Sequence, residues 1–510
     1  MVAADVRRLL QFLMVFKDKT TLESSAAVGH NIRLLVVIAS FGDKNLEFLR
    51  RIVQVYQTMP MQVEVVVVSN APKDLGPEVK VVVGLPSRNP WSLPFAHKPI
   101  FAENVDNCDL FIYSEDDMEV TGKNIRAFLQ MTPQLEADEI AGFLRYEHNP
   151  SGAWSLPEVH GMHHWKPGTV RQRGAHLIAE FSNEHSAFYI LTQGQLKRAI
   201  ASGGFLRPPY AGHYDMLCSA ATDPYTSCGF RKVVCVSALD DFLVHHLPNR
   251  YAGQFGITLP EFREQIQTLR DIGNGKQPSS TLGVGGTKLV SGGWSKGYYE
   301  AADATVLSLV PRNAKTILSI GCGWGATEAA LKQRGADVTA LPLDCVIGSV
   351  AARRGINVVN GTLEDGLHQL AGQKFDCVLM TNLLHLFADP ARVIKECAAA
   401  VREDGTLLLT GPNFARFPVL VKRILGLGEY GSLGDHAVTG IRTFNISQLS
   451  NWVREAGLHP EKPVWVRSKH GGPVSGAHGT WHLFRSRLRR RLMHKGFRFN
   501  ADGWLLASRK

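Results

Sequence analysis

The stretch Thr316 to Trp324, TILSIGCGW, together with Gly325, decides how the rear of this chain is read. Ile317, Leu318, Ser319 and Ile320 lead into glycines at alternate positions, Gly321, Gly323 and Gly325, and then into a helical run from Ala326 to Gln333. The pattern predicts a buried strand, a tight turn and a helix N-terminus. Glycine tolerates positive φ and has no Cβ to hold a ligand off the backbone, and the free N–H groups of a first helical turn favour an anionic group. A second strand, Asp337 to Leu343, runs into Asp344, about 20 residues beyond the glycines, the distance at which an acid accepts hydrogen bonds from both ribose hydroxyls of a nucleoside. A nucleoside with an anionic end is the expected ligand.

The glycine spacing is GxGxG, not the GxGxxG of dinucleotide folds, and here the sequence resembles the class I S-adenosylmethionine (SAM) methyltransferases. The resemblance runs from about Gly293 to the C-terminus. It rests also on GWSKGYYEAAD before the first strand, NGTLEDG at 360 to 366, FDCVLMTNLLHLFADP at 375 to 390 and VREDGTLLLTGPN at 401 to 413. It implies that Gly321, Gly323, Gly325, Asp344, Leu363, Glu364 and Asn382 bind SAM, with Leu363 and Glu364 near the adenine. Ser319 departs from the pattern, standing where the family often has an acid that helps hold the methionine end. His385 is a candidate base, competing with a plain helix-face role. Asn413 to Gly440, with Phe414, Phe417 and Tyr430, reads as a lid, and TFNISQLSNWVREAGL as a closing helix.

At 510 residues the chain calls for two or three domains. No run of about 18 apolar residues occurs, so no spanning helix is expected. Leu9 to Phe16 follows Arg7 and Arg8 but contains Gln11 and precedes Lys17, Asp18 and Lys19, and reads as an amphipathic lead-in helix. Eight cysteines without CxxC spacing suit a reducing, cytoplasmic setting. Part of the formal charge of +10 is local: Arg485, Arg487, Arg489, Arg490 and Arg491 form a run that suits a solvated helix face or a peripheral contact with an acidic membrane or polyphosphate. No nucleic acid is expected, and an RNA methyltransferase using this run is a third reading.

The front half alternates buried strands with helices. Asn31 to Ser40 and Val63 to Ser69 are near-continuous apolar runs, followed by Val79 to Val83 and Leu110 to Ser114, and Leu46, Leu49, Ile52, Val53 and Tyr56 recur at helical spacing. The last of these strands runs into Glu115, Asp116 and Asp117. Neighbouring carboxylates at the carboxyl end of a buried strand repel one another and lose hydration, so a hard divalent cation is their natural partner. The competing reading is an N-cap for a helix around Asn124 to Leu129.

At these acids the front half resembles the GT-A glycosyltransferases, over roughly Ile32 to Tyr251. The resemblance rests on VVIASFGDKN, AHKPIFAENVDNCDLFIYSEDDMEV, SNEHSAFYILTQGQLKRAI and the segment 212 to 251. It implies a nucleotide-sugar donor and Mn or Mg held by Asp117 and by His246 or His245. Asp116 would assist, and Glu115 would reach the ribose or base. Asp215 would be the catalytic or acceptor-binding acid, in competition with Asp223, Glu184, Asp240 and Asp241. His160, His163 and His164, beside Trp154 and Trp165, read as a loop that stacks on an acceptor sugar.

The expected fold is thus α/β with two Rossmann-like domains, an N-terminal GT-A type nucleotide-sugar fold and a C-terminal class I methyltransferase fold. Residues 1–30 form the lead-in, 31–255 the first domain, 256–292 a Gly/Ser-rich flexible linker and 293–510 the second domain. The implied function is assembly of a glycan or glycolipid: glycosyl transfer from a nucleotide-sugar and SAM-dependent O-methylation of a sugar hydroxyl. The alternative is a methyltransferase with a non-catalytic glycan-binding front domain.

Overall fold

The computed structural model describes residues 32–254, 257–466 and 501–510. The lead-in helix and the arginine run at 485–491 lie outside the described residues. Arg33–Ser40 is the central strand of the first sheet, every residue after Arg33 buried. It pairs in parallel with Gln62–Ser69 on one side and Leu110–Glu115 on the other. Val79–Val83 and the antiparallel Phe188–Thr192 complete five strands. Valine and isoleucine fill this sheet because β-branched side chains pack well on a pleated surface covered on both faces.

Two readings are corrected here. Val79–Val83 is a strand but not a buried one: it lies at the sheet edge, with Val82 and Val83 exposed. The helix after the acids spans Gly122–Met131 and is capped by Thr121, whose hydroxyl accepts from the Asn124 backbone N–H. Glu115, Asp116 and Asp117 therefore do not cap it.

Two smaller sheets follow. One joins Glu139–Ala141, Arg231–Cys235, His176–Phe181 and Trp165–Arg173; the other carries Leu144–His148 beside Leu243–His246. Leu243–His246 runs antiparallel to the two-residue strand Met118–Glu119, which returns it to the acids. Beneath the front half lies a buried ion pair, Lys98 with Asp223, joined by the hydroxyls of Tyr210 and Ser227.

The rear half is an eight-stranded sheet ordered Asn357–Val358, Asp337–Pro342, Thr316–Cys322, Phe375–Met380, Val401–Pro412, Gly503–Arg509 and His459–Pro460, with Val464–Val466 also on Gly503–Arg509. Gly503–Arg509 is antiparallel to the long Val401–Pro412 strand. Strand order reverses beside Thr316–Cys322, and in open α/β sheets the crevice at such a point takes the ligand.

The linker expected to be flexible is packed. Leu259–Gly273 is a helix that buries Phe262, Ile266 and Leu269 in a core shared with Cys345 and Val346 of the rear half. Beyond it, the Leu282 backbone N–H donates to Leu343 O at 2.9 Å and that of Cys345 to Ser280 O at 3.0 Å. The glycines and serines that suggest freedom are here small residues in a strand-like run along the rear sheet.

Candidate functional sites

Asp116 is turned inward: Oδ2 accepts from Ser40 Oγ at 2.6 Å and Oδ1 from Asn45 Nδ2 at 2.8 Å. The same Asn45 amide reaches Asp117 Oδ2 at 3.2 Å. His246 Nε2 stands 3.3 Å from that Asp117 oxygen, and Asp117 Oδ1 is buried without a hydrogen bond. On its far side, His246 Nδ1 is hydrogen-bonded to Glu147, whose second oxygen accepts from the Tyr251 backbone N–H at 2.7 Å. Burial works against charging His246, but the hydrogen bonds to Asp117 and Glu147 outweigh it and raise the ring above its ordinary value. Strand alternation separates the two histidines, because successive side chains leave a strand on opposite faces. His245 stacks on Tyr146 and pairs with Asn249 Oδ1 at 3.0 Å, away from Asp117.

Glu115 is the third acid. Burial, then the neighbouring Asp117, pushes its carboxyl up to about 8, with Arg145 opposing. Arg145 is itself held by Glu158, Nε to Oε1 at 2.8 Å and backbone N–H to Oε2 at 2.9 Å. Asp215 caps the Met216–Thr226 helix, accepting from the Cys218 N–H at 2.9 Å. Of its competitors, Asp223 is committed to Lys98, Glu184 to the Tyr214 hydroxyl at 2.7 Å and Asp241 to Lys123 at 2.8 Å. The sequence reading missed Asn45, Glu147, Arg145 and Glu158, which hold the acids and the histidine in place.

In the rear half the glycine turn is built as expected. Gly321 and Gly325 adopt φ of 77° and 81°, and Gly325 begins the Ala326–Gln333 helix. Gly323 is required by a close approach: a Cβ there would sit 2.2 Å from the Tyr298 carbonyl oxygen, which accepts from the Trp324 N–H at 2.9 Å. Lys296, Glu300, Glu328 and Thr381 line the turn. Lys296 contacts Glu300, and its Nζ is 3.2 Å from Thr381 Oγ1.

Asp344 is buried at the end of its strand. One oxygen accepts from the Val346 and Ile347 N–H groups, both at 2.8 Å, and the Tyr298 hydroxyl is a further partner. Burial pushes the carboxyl up to about 7 despite these donors. Tyr298 also lines the pocket around the glycine turn.

The remaining expected residues are spread around the crevice. Leu363 opens a helix and is buried in the core; Glu364 beside it is exposed and pairs with Arg392 at 3.2 Å. Asn382 takes a left-handed φ of 49° after the fourth strand and is tied to Thr410 through its backbone N–H. His385 is buried, and Nε2 donates to the Trp294 carbonyl at 2.8 Å, leaving Nδ1 buried without a hydrogen bond. Burial lowers its ring to about 4. Around it, Phe414, Leu433 and Ile441 cluster with Leu289 and with Trp294 and Tyr430, while Phe417 is exposed.

Part of the histidine loop packs against the rear half. His164 stacks on Tyr298 with ring centres 4.1 Å apart and planes 1° from parallel, and the Tyr298 N–H donates to Gly161 O at 2.7 Å. The loop therefore clamps the segment that covers the glycine turn. Its composition suits ring stacking, but the partner is a tyrosine of the rear half, joined there by Gln265 on the Tyr299 hydroxyl at 3.0 Å and Arg354 on Glu261 at 2.5 Å.

Among known proteins, residues 318–409 match a family described as Methyltransferase domain. A ubiquinone biosynthesis O-methyltransferase of Pseudomonas paraeruginosa is 32% identical over 154 residues, 28% of this chain and 64% of that protein. One of Xylella fastidiosa is 29% identical over 165 residues, 31% of this chain and 66% of that protein. The chain thus spans just under two thirds of these relatives. Among solved structures, a SAM dependent methyltransferase from Archaeoglobus fulgidus matches 39% of this chain and 87% of its own at 13% identity and a TM-score of 0.29. Magnesium protoporphyrin IX methyltransferase from Synechocystis, solved with bound SAH, matches 41% and 79% at 15% identity and 0.28. Residues 318–409 are thus similar to a methyltransferase domain, and they lie within the α/β sheet of the rear half.

Proposed function

We propose that the chain is a bifunctional glycan-modifying enzyme. Its rear half methylates a hydroxyl of a glycan or glycolipid with SAM, and its front half transfers a sugar from a nucleotide-sugar with a divalent metal. The front assignment is carried by Asp117, whose Oδ1 is buried without a donor while Oδ2 faces His246 Nε2. A buried carboxylate oxygen left bare is costly, and Mn or Mg is a partner that suits it. Asp117 and His246 would hold the ion, with Glu147 fixing the ring so that Nε2 presents its lone pair. When bound, the metal supplies positive charge opposite a diphosphate leaving group. Asp116 holds Asn45 in position through Nδ2, and Trp154, exposed and stacked on Tyr146 at 4.2 Å, offers a flat apolar face to an acceptor sugar. The order of the first sheet, four parallel strands with the acids at a carboxyl end and an antiparallel neighbour, suits a GT-A fold.

For the rear half, the relatives' names point to oxygen as the methyl acceptor. His385 would orient the acceptor hydroxyl through Nδ1 and take its proton; a ring lowered to about 4 is a weak base, so alignment at the sulfonium supplies most of the acceleration.

Asp344 gives the rear assignment a pH signature. Ribose hydroxyls are accepted by the ionised carboxylate, and burial holds this group at about 7. Affinity for S-adenosylhomocysteine (SAH) should therefore strengthen as pH rises from about 6 to 8, approaching tenfold per unit on the acid side and levelling above the pKa. In the ligand-free protein the linkage has the opposite sense: the raised pKa gives a stabilising contribution complete below 3.8 and lost as pH rises through about 7. Asp344→Asn should flatten the binding profile and weaken SAH at least ~10-fold at pH 8. Calorimetric titration of both proteins across this range is the test; an unchanged slope in the variant would remove Asp344 from the nucleoside site.

A further inference from the structure

Glu328 is a buried acid with no cation. It sits in the first turn of the Ala326–Gln333 helix, is 7% exposed, and accepts from Ser319 Oγ at 2.6 Å. Among the described residues it forms no ion pair, and Lys296, the lysine on the same pocket wall, is committed to Glu300. A carboxylate removed from water and met only by neutral donors, the Ser319 hydroxyl and the Cys322 thiol, is under-compensated. Its position in the first turn of a helix gains a modest electrostatic benefit, but that alone would be equally available to an exposed glutamate. The carboxylate instead lines the wall formed by Gly321, Gly323 and Gly325, next to Lys296.

SAM ends in an amino acid, one ammonium and one carboxylate on a single carbon. The pocket around the glycine turn offers a matching pair, an acid without a cation in Glu328 and a lysine in Lys296. Ser319 is short, and that leaves room for the longer Glu328 side chain to arrive from the helix and lie across it. We propose that Glu328, positioned by Ser319, receives the ammonium of the methionine end of SAM, and that Lys296 exchanges Glu300 for its carboxylate. The charge expected at residue 319 is thereby supplied from the helix. This rests on the nucleoside reading of the rear site.

The test compares two ligands that share adenosine and thioether. SAH carries the ammonium and carboxylate; 5′-methylthioadenosine lacks both. Glu328→Gln keeps the shape and the hydrogen bond to Ser319 but removes the charge. Titration calorimetry should show SAH weakened about 10- to 100-fold in the variant, with methylthioadenosine within about threefold of wild type, which also establishes that the site is folded. Adding Ser319→Asp to Glu328→Gln should recover most of the SAH affinity, because the charge returns from the strand side. Equal weakening of both ligands would make Glu328 a structural residue and overturn the assignment. Unchanged SAH binding would overturn it as well. Wild-type protein that binds neither ligand would overturn the nucleoside site itself, and this assignment with it.

Discussion

Gly323→Ala is expected to remove SAH binding, by more than about 100-fold, and to destabilise the rear half by ~2 to 4 kcal/mol. The three atoms nearest the new methyl are the Tyr298 oxygen, carbonyl carbon and Cα, at 2.2, 2.9 and 3.2 Å. All are backbone, so no rotamer relieves the clash, and either the turn or the 297–300 segment must move. Both carry the site: the Trp324 N–H bonds the same Tyr298 carbonyl, and Lys296 and Glu300 flank it. Gly194→Ala is the control. That glycine lies in the Gln193–Ala201 helix with nothing within 4 Å of the added Cβ, and its replacement should be neutral or slightly stabilising. Thermal unfolding and SAH titration of both variants read the difference; SAH binding by Gly323→Ala at wild-type affinity would contradict the described turn.

The second large effect concerns stability. Asp223→Ala leaves the Lys98 ammonium buried without its carboxylate and removes the acceptor shared by Tyr210 and Ser227. Breaking a buried pair from one side typically costs about 3 to 5 kcal/mol, because the remaining charge is uncompensated. Burial already lowers the Lys98 pKa while Asp223 opposes that, so the variant should shed the lysine proton more readily. Replacing both partners by apolar residues, Lys98→Met with Asp223→Leu, should recover most of the loss. Denaturant unfolding of the three proteins measures this directly, and a double variant no better than Asp223→Ala would mean that the pair does more than neutralise itself.

What was legible in the sequence was local. The glycine turn with its strand and helix is set by backbone chemistry over a short stretch and folds as expected, while Asp344 lies beyond its strand as the N-cap of the next helix. The acids at 115 to 117 were legible for the same reason, a continuous apolar strand that ends abruptly in carboxylates. Choosing His246 over His245 needed the register of Leu243–His246 against Met118–Glu119, a pairing across more than a hundred residues. Glu147 was invisible because it reaches His246 from Leu144–His148, the parallel neighbour of that strand. The linker misled because glycine and serine suit a free chain and a closely packed edge equally well. The rings of the histidine loop announce stacking but not their partner: His164 meets Tyr298, which lies in the other half of the chain. Glu328 left a faint signal, a serine where an acid was expected and an acid in the next helical turn.

On the proposed reading, two ligand sites of different chemistry share this chain, a nucleoside site at the glycine turn and a metal-dependent nucleotide site at Asp117. The most direct measurement is calorimetric titration of UDP and GDP, with and without Mn²⁺, into wild type and Asp117→Ala, with SAH titrated into both as the reference for the rear half. One nucleotide should then bind wild type only with the metal, and Asp117→Ala should lose that binding while SAH affinity stays within about twofold. Wild type that binds SAH but neither nucleotide, with Mn²⁺ or Mg²⁺, would contradict it and leave the front half as a glycan-positioning module on a methyltransferase.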